Sequence, residues 1–140
     1  MKDISFHFLD IESEPINTSS LKKWIEQTIQ LEGHPTGYLQ FIFCDDAYLH
    51  QMNKQFLSHD SYTDIITFNY NDDFDGISGE MYISLDRVRD NARKYGAFLM
   101  DELHRVMIHG VLHLIGYQDE SPDDQELMRS KENYYLSLLS

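Results

Sequence analysis

Hydrophobic positions recur along this chain with two different periods, and each switch of period marks the end of one element. Residues Ile4-Ser5-Phe6-His7-Phe8-Leu9 alternate and predict a strand. Asn17, Thr18, Ser19 and Ser20 then offer helix caps, and Leu21, Trp24, Ile25, Thr28 and Ile29 share one helical face. Gly33, Pro35 and Gly37 break that helix. A second strand is expected over 38–44. Asp45 should cap a second helix whose apolar positions are Tyr48, Leu49, Met52, Phe56 and Leu57. After a polar loop at 58–61, the β-branched run 63–70 predicts a third strand. The turn-rich residues 71–76 lead to a fourth strand over 80–85, so the last two strands should form a hairpin. Asp86 is the expected cap of a third helix, with Val88, Ala92 and Tyr95 inward and Gly96 at its end. A fourth helix is expected over 99–115. Ser121-Pro122-Asp123-Asp124 starts a last helix that presents Leu127, Met128, Tyr134, Tyr135, Leu138 and Leu139. No repeat or low-complexity segment interrupts this order. It predicts a single α+β domain over 1–140: a mixed, mostly parallel four-stranded sheet covered by about five helices.

The chemistry concentrates near the end of the fourth helix. His109 and His113 lie four residues apart, which places both imidazoles on one helical face. Gly116 suits a left-handed cap that folds the chain back, and Asp119 follows it. Two nitrogens and one carboxylate oxygen, with a fourth position open to water, form a catalytic zinc arrangement. Plainer readings exist. Histidines flanked by Val111, Leu112 and Leu114 are often satisfied core residues. Asp119, beside Glu120, Asp123 and Asp124, could simply serve the positive end of the last helix.

Composition narrows the setting. The chain has 140 residues, 41% hydrophobic and 25% charged, which suits a soluble globule with a real core. No run approaches the roughly 20 apolar residues of a membrane span. The polar and acidic start does not read as a signal peptide, and Cys44 is alone, so a cytoplasmic protein without disulfides is expected. A net charge of −13 favours solubility and argues against broad nucleic-acid affinity. An acidic chain would need a local basic patch or a partner to act on RNA. Arg87, Arg89, Arg93, Lys94 and Arg105 offer such a patch, five of the eleven basic residues. They either line a cleft and hold an RNA backbone, or form a solvated face balanced by Asp86, Asp90, Asp101 and Glu102. Phe74, Tyr82 and Tyr117 are aromatics that could stack single-stranded bases.

The spacing from His109 to Asp119 is similar to that of zinc peptidases, whose second motif position is a glutamate acting as general base. Here that position is Gly110, so a peptidase of that mechanism is not expected, whereas a zincin-like fold is. The whole stretch His109-Gly110-Val111-Leu112-His113-Leu114-Ile115-Gly116-Tyr117-Gln118-Asp119 resembles H-G-x-L-H-L-x-G-Y-D-H, the signature of the YbeY family of bacterial rRNA maturation factors, proposed single-strand endoribonucleases. Met52-Asn53-Lys54-Gln55-Phe56, Thr63-Asp64-Ile65-Ile66-Thr67-Phe68 and Gly79-Glu80-Met81-Tyr82-Ile83-Ser84 resemble its upstream motifs. The resemblance covers about 38–120. It implies one Zn2+ held by His109, His113 and Asp119, and metal-activated water as nucleophile. It also implies rRNA as substrate, a role in small-subunit maturation and quality control, and a small-subunit ribosomal protein or ribosome-associated GTPase as partner.

Two positions depart from the family pattern. Asp119 stands where the third ligand is usually histidine, preceded by Gln118 in place of an acid. Leu57 stands where the family carries an arginine facing the metal. Lys54, His59 and Arg105 are the candidates to supply the missing cation. A non-catalytic ribosome assembly factor with a structural metal site is the alternative that this loss favours, with a zinc peptidase a more distant one.

Overall fold

The computed structural model describes residues 2–57 and 63–139. The chain runs β1 (Asp3–Phe8), α1 (Thr18–Leu31), β2 (Thr36–Cys44), α2 (Asp46–Leu57), β3 (Ile65–Asn69), β4 (Ile77–Ser84), α3 (Leu85–Tyr95), α4 (Leu99–Ile115) and α5 (Pro122–Ser137). Sheet order is β1-β2-β4-β3. β1 pairs with β2 and β2 with β4 in parallel, while β3 and β4 form the expected antiparallel hairpin. The mixed, mostly parallel sheet with five helices is therefore present.

Alternation along the strands sends side chains to two unequal cores. Leu39, Phe41 and Phe43 of β2 and Met81 and Ile83 of β4 join the large core with α1, α3, α4 and α5. The opposite face is smaller: Cys44 and Ile66 pack under Leu49 and Met52 of α2. α4 is buried along most of its length, as its largely apolar sequence requires. At its crossing with the sheet, Gly110 removes a side chain that would have no room. A Cβ there would lie 2.8 Å from Ile65 Cδ1 and 2.9 Å from Met81 Sδ. Gly79 is tighter still, because a Cβ there would lie 2.5 Å from the Phe68 carbonyl oxygen and 2.8 Å from Leu114 Cδ2.

Several expected positions differ. β4 runs into α3 without a loop, so the helix starts early and Ser84, not Asp86, accepts the bond from Arg87 N–H. Asp86 instead accepts from the backbone N–H of Asp46 at the start of α2. Tyr95 points outward, because it is the last residue of α3 and Gly96 turns the chain there in a left-handed conformation. Tyr48, Phe56, Leu57, Leu127 and Tyr134 also share helical periodicity with core residues yet remain exposed, because they stand at the edges of their helices' apolar faces. Asn17, Asp45 and Ser121 cap α1, α2 and α5 as expected. Among the described residues, no helix is long and apolar enough to cross a membrane.

Candidate metal centre

The last turns of α4 carry His109 and His113 side by side, their ring centroids 4.6 Å apart. The helix then ends at Gly116, with φ +129°. This is a positive φ, wider than the left-handed value of about 57° expected of a regular cap. The N–H groups of Gly116 and Tyr117 return to the carbonyl of Leu112, and the Tyr117 hydroxyl donates to Glu32 Oε1 at 2.5 Å. The turn is thus tied to the end of α1. It brings Asp119 back over the helix. Asp119 Oδ2 lies 3.3 Å from His109 Nε2 and 3.4 Å from His113 Nε2. The three donor atoms lie within 4.8 Å of one another. The Asp119 carboxylate therefore faces the histidines. The N-terminus of α5 is served by Ser121, whose Oγ accepts from Asp124 N–H.

Glu132 of α5 stands behind His109, with Oε2 2.7 Å from His109 Nδ1. Arg105 donates to the other Glu132 oxygen at 2.8 Å and to Asn133. Burial would raise the Glu132 pKa, but the bonds from His109 and Arg105 outweigh it and hold the carboxyl below its ordinary range. An ionised Glu132 requires Nδ1 of His109 to be the donor, so in the neutral ring Nε2 carries the lone pair toward Asp119. Carboxylate, histidine and metal position then form the usual outer-shell arrangement of metal sites. Burial disfavours a proton on His109, yet the bond to Glu132 and the charges of Glu132, Asp119 and Asp64 raise its pKa. Two imidazole nitrogens and a carboxylate oxygen converge on one point, which a cation can occupy in place of a proton. The donor set fits a divalent metal of the zinc type.

Glu132 escaped sequence reading. It lies far from the motif, and only its occurrence on an α5 face with buried Met128 and Tyr135 could have hinted at it. Asp64 was noted only as part of a motif. It lies in the cleft with its pKa raised by burial, an effect that the nearby His109 opposes. Glu102, also in the cleft, is raised by burial and by Asp64.

Two openings meet at the cluster. One, of about 750 Å³, runs between α3, α4 and α5 past Asp64, Glu102, Arg105, His109, Arg129 and Glu132. The other, of about 490 Å³, runs along β3 past Leu57, Asn69, His113 and Gln118. Arg105 is thus in the cleft, although bound to Glu132. Lys54 lines neither opening, and His59 lies outside the described residues. Leu57 does line the cleft, so the departure from the family pattern falls at the site itself.

The basic patch does not form there. Arg87 pairs with Asp46 and Asp90, Arg89 with Glu14 and Asp86, and Arg93 with Asp90. What α3 gives the cleft is Asn91 and Tyr95. Phe74 stacks on Tyr38, Tyr82 lies on the α2 side of the sheet, and Tyr117 bonds Glu32, so none of the three expected stacking aromatics lines either opening.

Comparison with known proteins adds a separate line of support. The family model described as "Endoribonuclease YbeY" matches residues 8–140. The chain belongs to the YbeY family. A relative from Amoebophilus asiaticus, named Endoribonuclease YbeY, is 46% identical over 134 residues, covering 96% of this chain and 91% of the relative. Another of the same name, from Flavobacterium psychrophilum, is 46% identical over 135 residues, covering 96% and 95%. The solution structure of TM1509 from Thermotoga maritima aligns with a TM-score of 0.67 at 26% identity, over 98% of this chain and 89% of that one. This YbeY-family chain keeps the fold while placing a carboxylate, Asp119, beside the two motif histidines.

Proposed function

We propose that this protein is a metal-dependent endoribonuclease that cuts single-stranded RNA during rRNA maturation in the cytoplasm. His109, His113 and Asp119 hold one zinc ion. The observation that carries the reading is the convergence of two Nε2 atoms on Asp119 Oδ2, with Glu132 fixing the ring of His109. The family name supports the RNA substrate. Bound there, zinc supplies Lewis acidity toward water or a phosphate oxygen. Glu132 holds the proton on Nδ1 and aims Nε2 of His109 at the metal position, and Arg105 keeps Glu132 charged. Asp64 is the carboxyl placed to exchange a proton beside the ligands. Asp119 adds negative charge that a third histidine would not, so the centre is a weaker electrophile than one with three neutral ligands.

A second reading has one specific observation behind it. Leu57 lines the cleft, and Asp64, Glu102 and Glu132 make the cleft acidic. That favours an assembly factor that binds metal without cutting RNA, with a small-subunit ribosomal protein or a ribosome-associated GTPase supplying affinity. The test is cleavage of precursor rRNA by zinc-loaded protein, with His113→Ala alongside. Cutting by the parent alone supports the nuclease. One equivalent of zinc with no cutting supports the assembly factor. Less than about a tenth of an equivalent after supplementation would end both.

A further inference from the structure

The cleft beside His109 and Asp119 is poorly suited to a phosphodiester at first sight. Asp64, Glu102 and Glu132 all border it. Two guanidinium groups reach it, from Arg105 and Arg129. Arg105 is already committed to Glu132 and Asn133. Arg129, on the exposed side of α5, makes no ion pair among the described residues. The α3 arginines are bound to carboxylates and do not line the cleft. Among the described residues of the cleft, Arg129, within electrostatic reach of Glu102 but not ion-paired to it, is therefore the cation left for a phosphate, and its planar fork suits two phosphate oxygens.

Tyr95 borders the same space. The residue is 66% exposed although its helix packs on α4, so the fold does not use it as core. Lys94 Nζ lies 5.7 Å from the ring centroid and adds positive charge beside it. An exposed tyrosine can stack any base without reading its edge. A space of about 750 Å³ is within the range of sites that hold ligands of nucleotide size.

We infer that Tyr95 and Arg129 form a subsite for one nucleotide of a single RNA strand beside the metal ligands, Tyr95 stacking the base and Arg129 holding a phosphate. This rests on the RNA reading above.

The test is fluorescence anisotropy of a labelled single-stranded RNA oligonucleotide with zinc-loaded full-length protein over a series of KCl concentrations. Arg129→Ala should weaken binding about tenfold and reduce the salt slope by about 0.7, the share of one phosphate on a single strand. Arg129→Lys should restore the slope. Tyr95→Ala should weaken binding about tenfold with the slope unchanged, and Tyr95→Phe should bind like the parent. Lys23→Ala, exposed on α1, is the control and should change neither. Zinc content should be equal throughout. If Arg129→Ala does not fold, Arg129→Gln takes its place.

Parent-like binding by Arg129→Ala or by Tyr95→Ala overturns the paired subsite while leaving the metal centre standing. So does a loss of affinity that tracks loss of zinc. A parent protein that neither binds nor cuts RNA fails the RNA reading itself, and the subsite with it.

Discussion

α3 and α5 both pack on α4, and from sequence the first looks the more useful for RNA. It carries Arg87, Arg89, Arg93 and Lys94, whereas α5 carries only Arg129 and Lys131. In the fold the roles reverse. The α3 arginines are neutralised by carboxylates from α2, from the segment after β1 and from their own helix. On α5, Glu132 reaches His109 and Lys131 anchors to Glu32. Arg129 is left facing the cleft. Charge density along a helix says little about electrostatic function. What counts is which neighbouring charges the packing brings within reach.

The comparison can be broken most directly at Glu132. Glu132→Gln should lower zinc affinity by about 10- to 100-fold, the usual cost of losing an outer-shell partner. Competition with a chromophoric chelator would measure it. If affinity holds, α5 is only a lid on the core.

Next comes the anchor of α5. Glu32 accepts hydrogen bonds from the Tyr117 and Tyr135 hydroxyls and from Lys131. Burial pushes its pKa up, but these bonds outweigh it and the net shift is downward from 4.5. A depressed folded pKa gives stability that is present above about pH 4.5 and lost as pH falls through the lower folded value. Glu32→Gln should therefore cost about 2 kcal/mol at neutral pH, the scale of a hydrogen bond to a charged group. The difference from the parent should shrink in acid. Urea unfolding at several pH values would show it, and a pH-independent difference would contradict the assigned cause.

The two helix caps give a smaller contrast. Ser121→Ala should destabilise by about 1 kcal/mol. Ser84→Ala should cost more, because Ser84 is fully buried and also donates to Asp46. Equal costs in denaturant melts would remove that distinction. Smallest of all is Arg93→Ala on α3. Its ion pair is exposed, at 3.7 Å, and its loss should change stability by less than about 0.5 kcal/mol and leave RNA binding unaltered. A clear loss of RNA binding would restore α3 as the nucleic-acid face.

Much of the architecture was legible because it follows from local periodicity. The strand alternation, the caps at Asn17, Asp45 and Ser121, and the hairpin of β3 with β4 all came from short stretches. So did the meeting of His109, His113 and Asp119, whose separation along the chain is small. What stayed hidden depends on contacts between distant segments. Glu132 and Glu102 look like ordinary helix-surface acids until α4 and α5 pack together. Tyr95 fits a helical apolar face, yet its place at the end of α3 turns it outward. The ion pairs that silence Arg87 and Arg89 join α3 to Asp46 and Glu14, and no spacing rule connects those positions.

The absence of clearance at Gly110 bears on how the site could change. Zinc peptidases carry their base at the corresponding position, so a single exchange to glutamate would look like a route between the two activities. Here the new side chain would first meet Ile65 and Met81. Either the ends of those two side chains turn aside or α4 shifts, and in the second case His109 would move with the helix that carries it. The step that adds a base would thus repack the ground beneath His109. The barrier between these chemistries is steric as well as catalytic, and smaller residues at 65 or 81 would lower it.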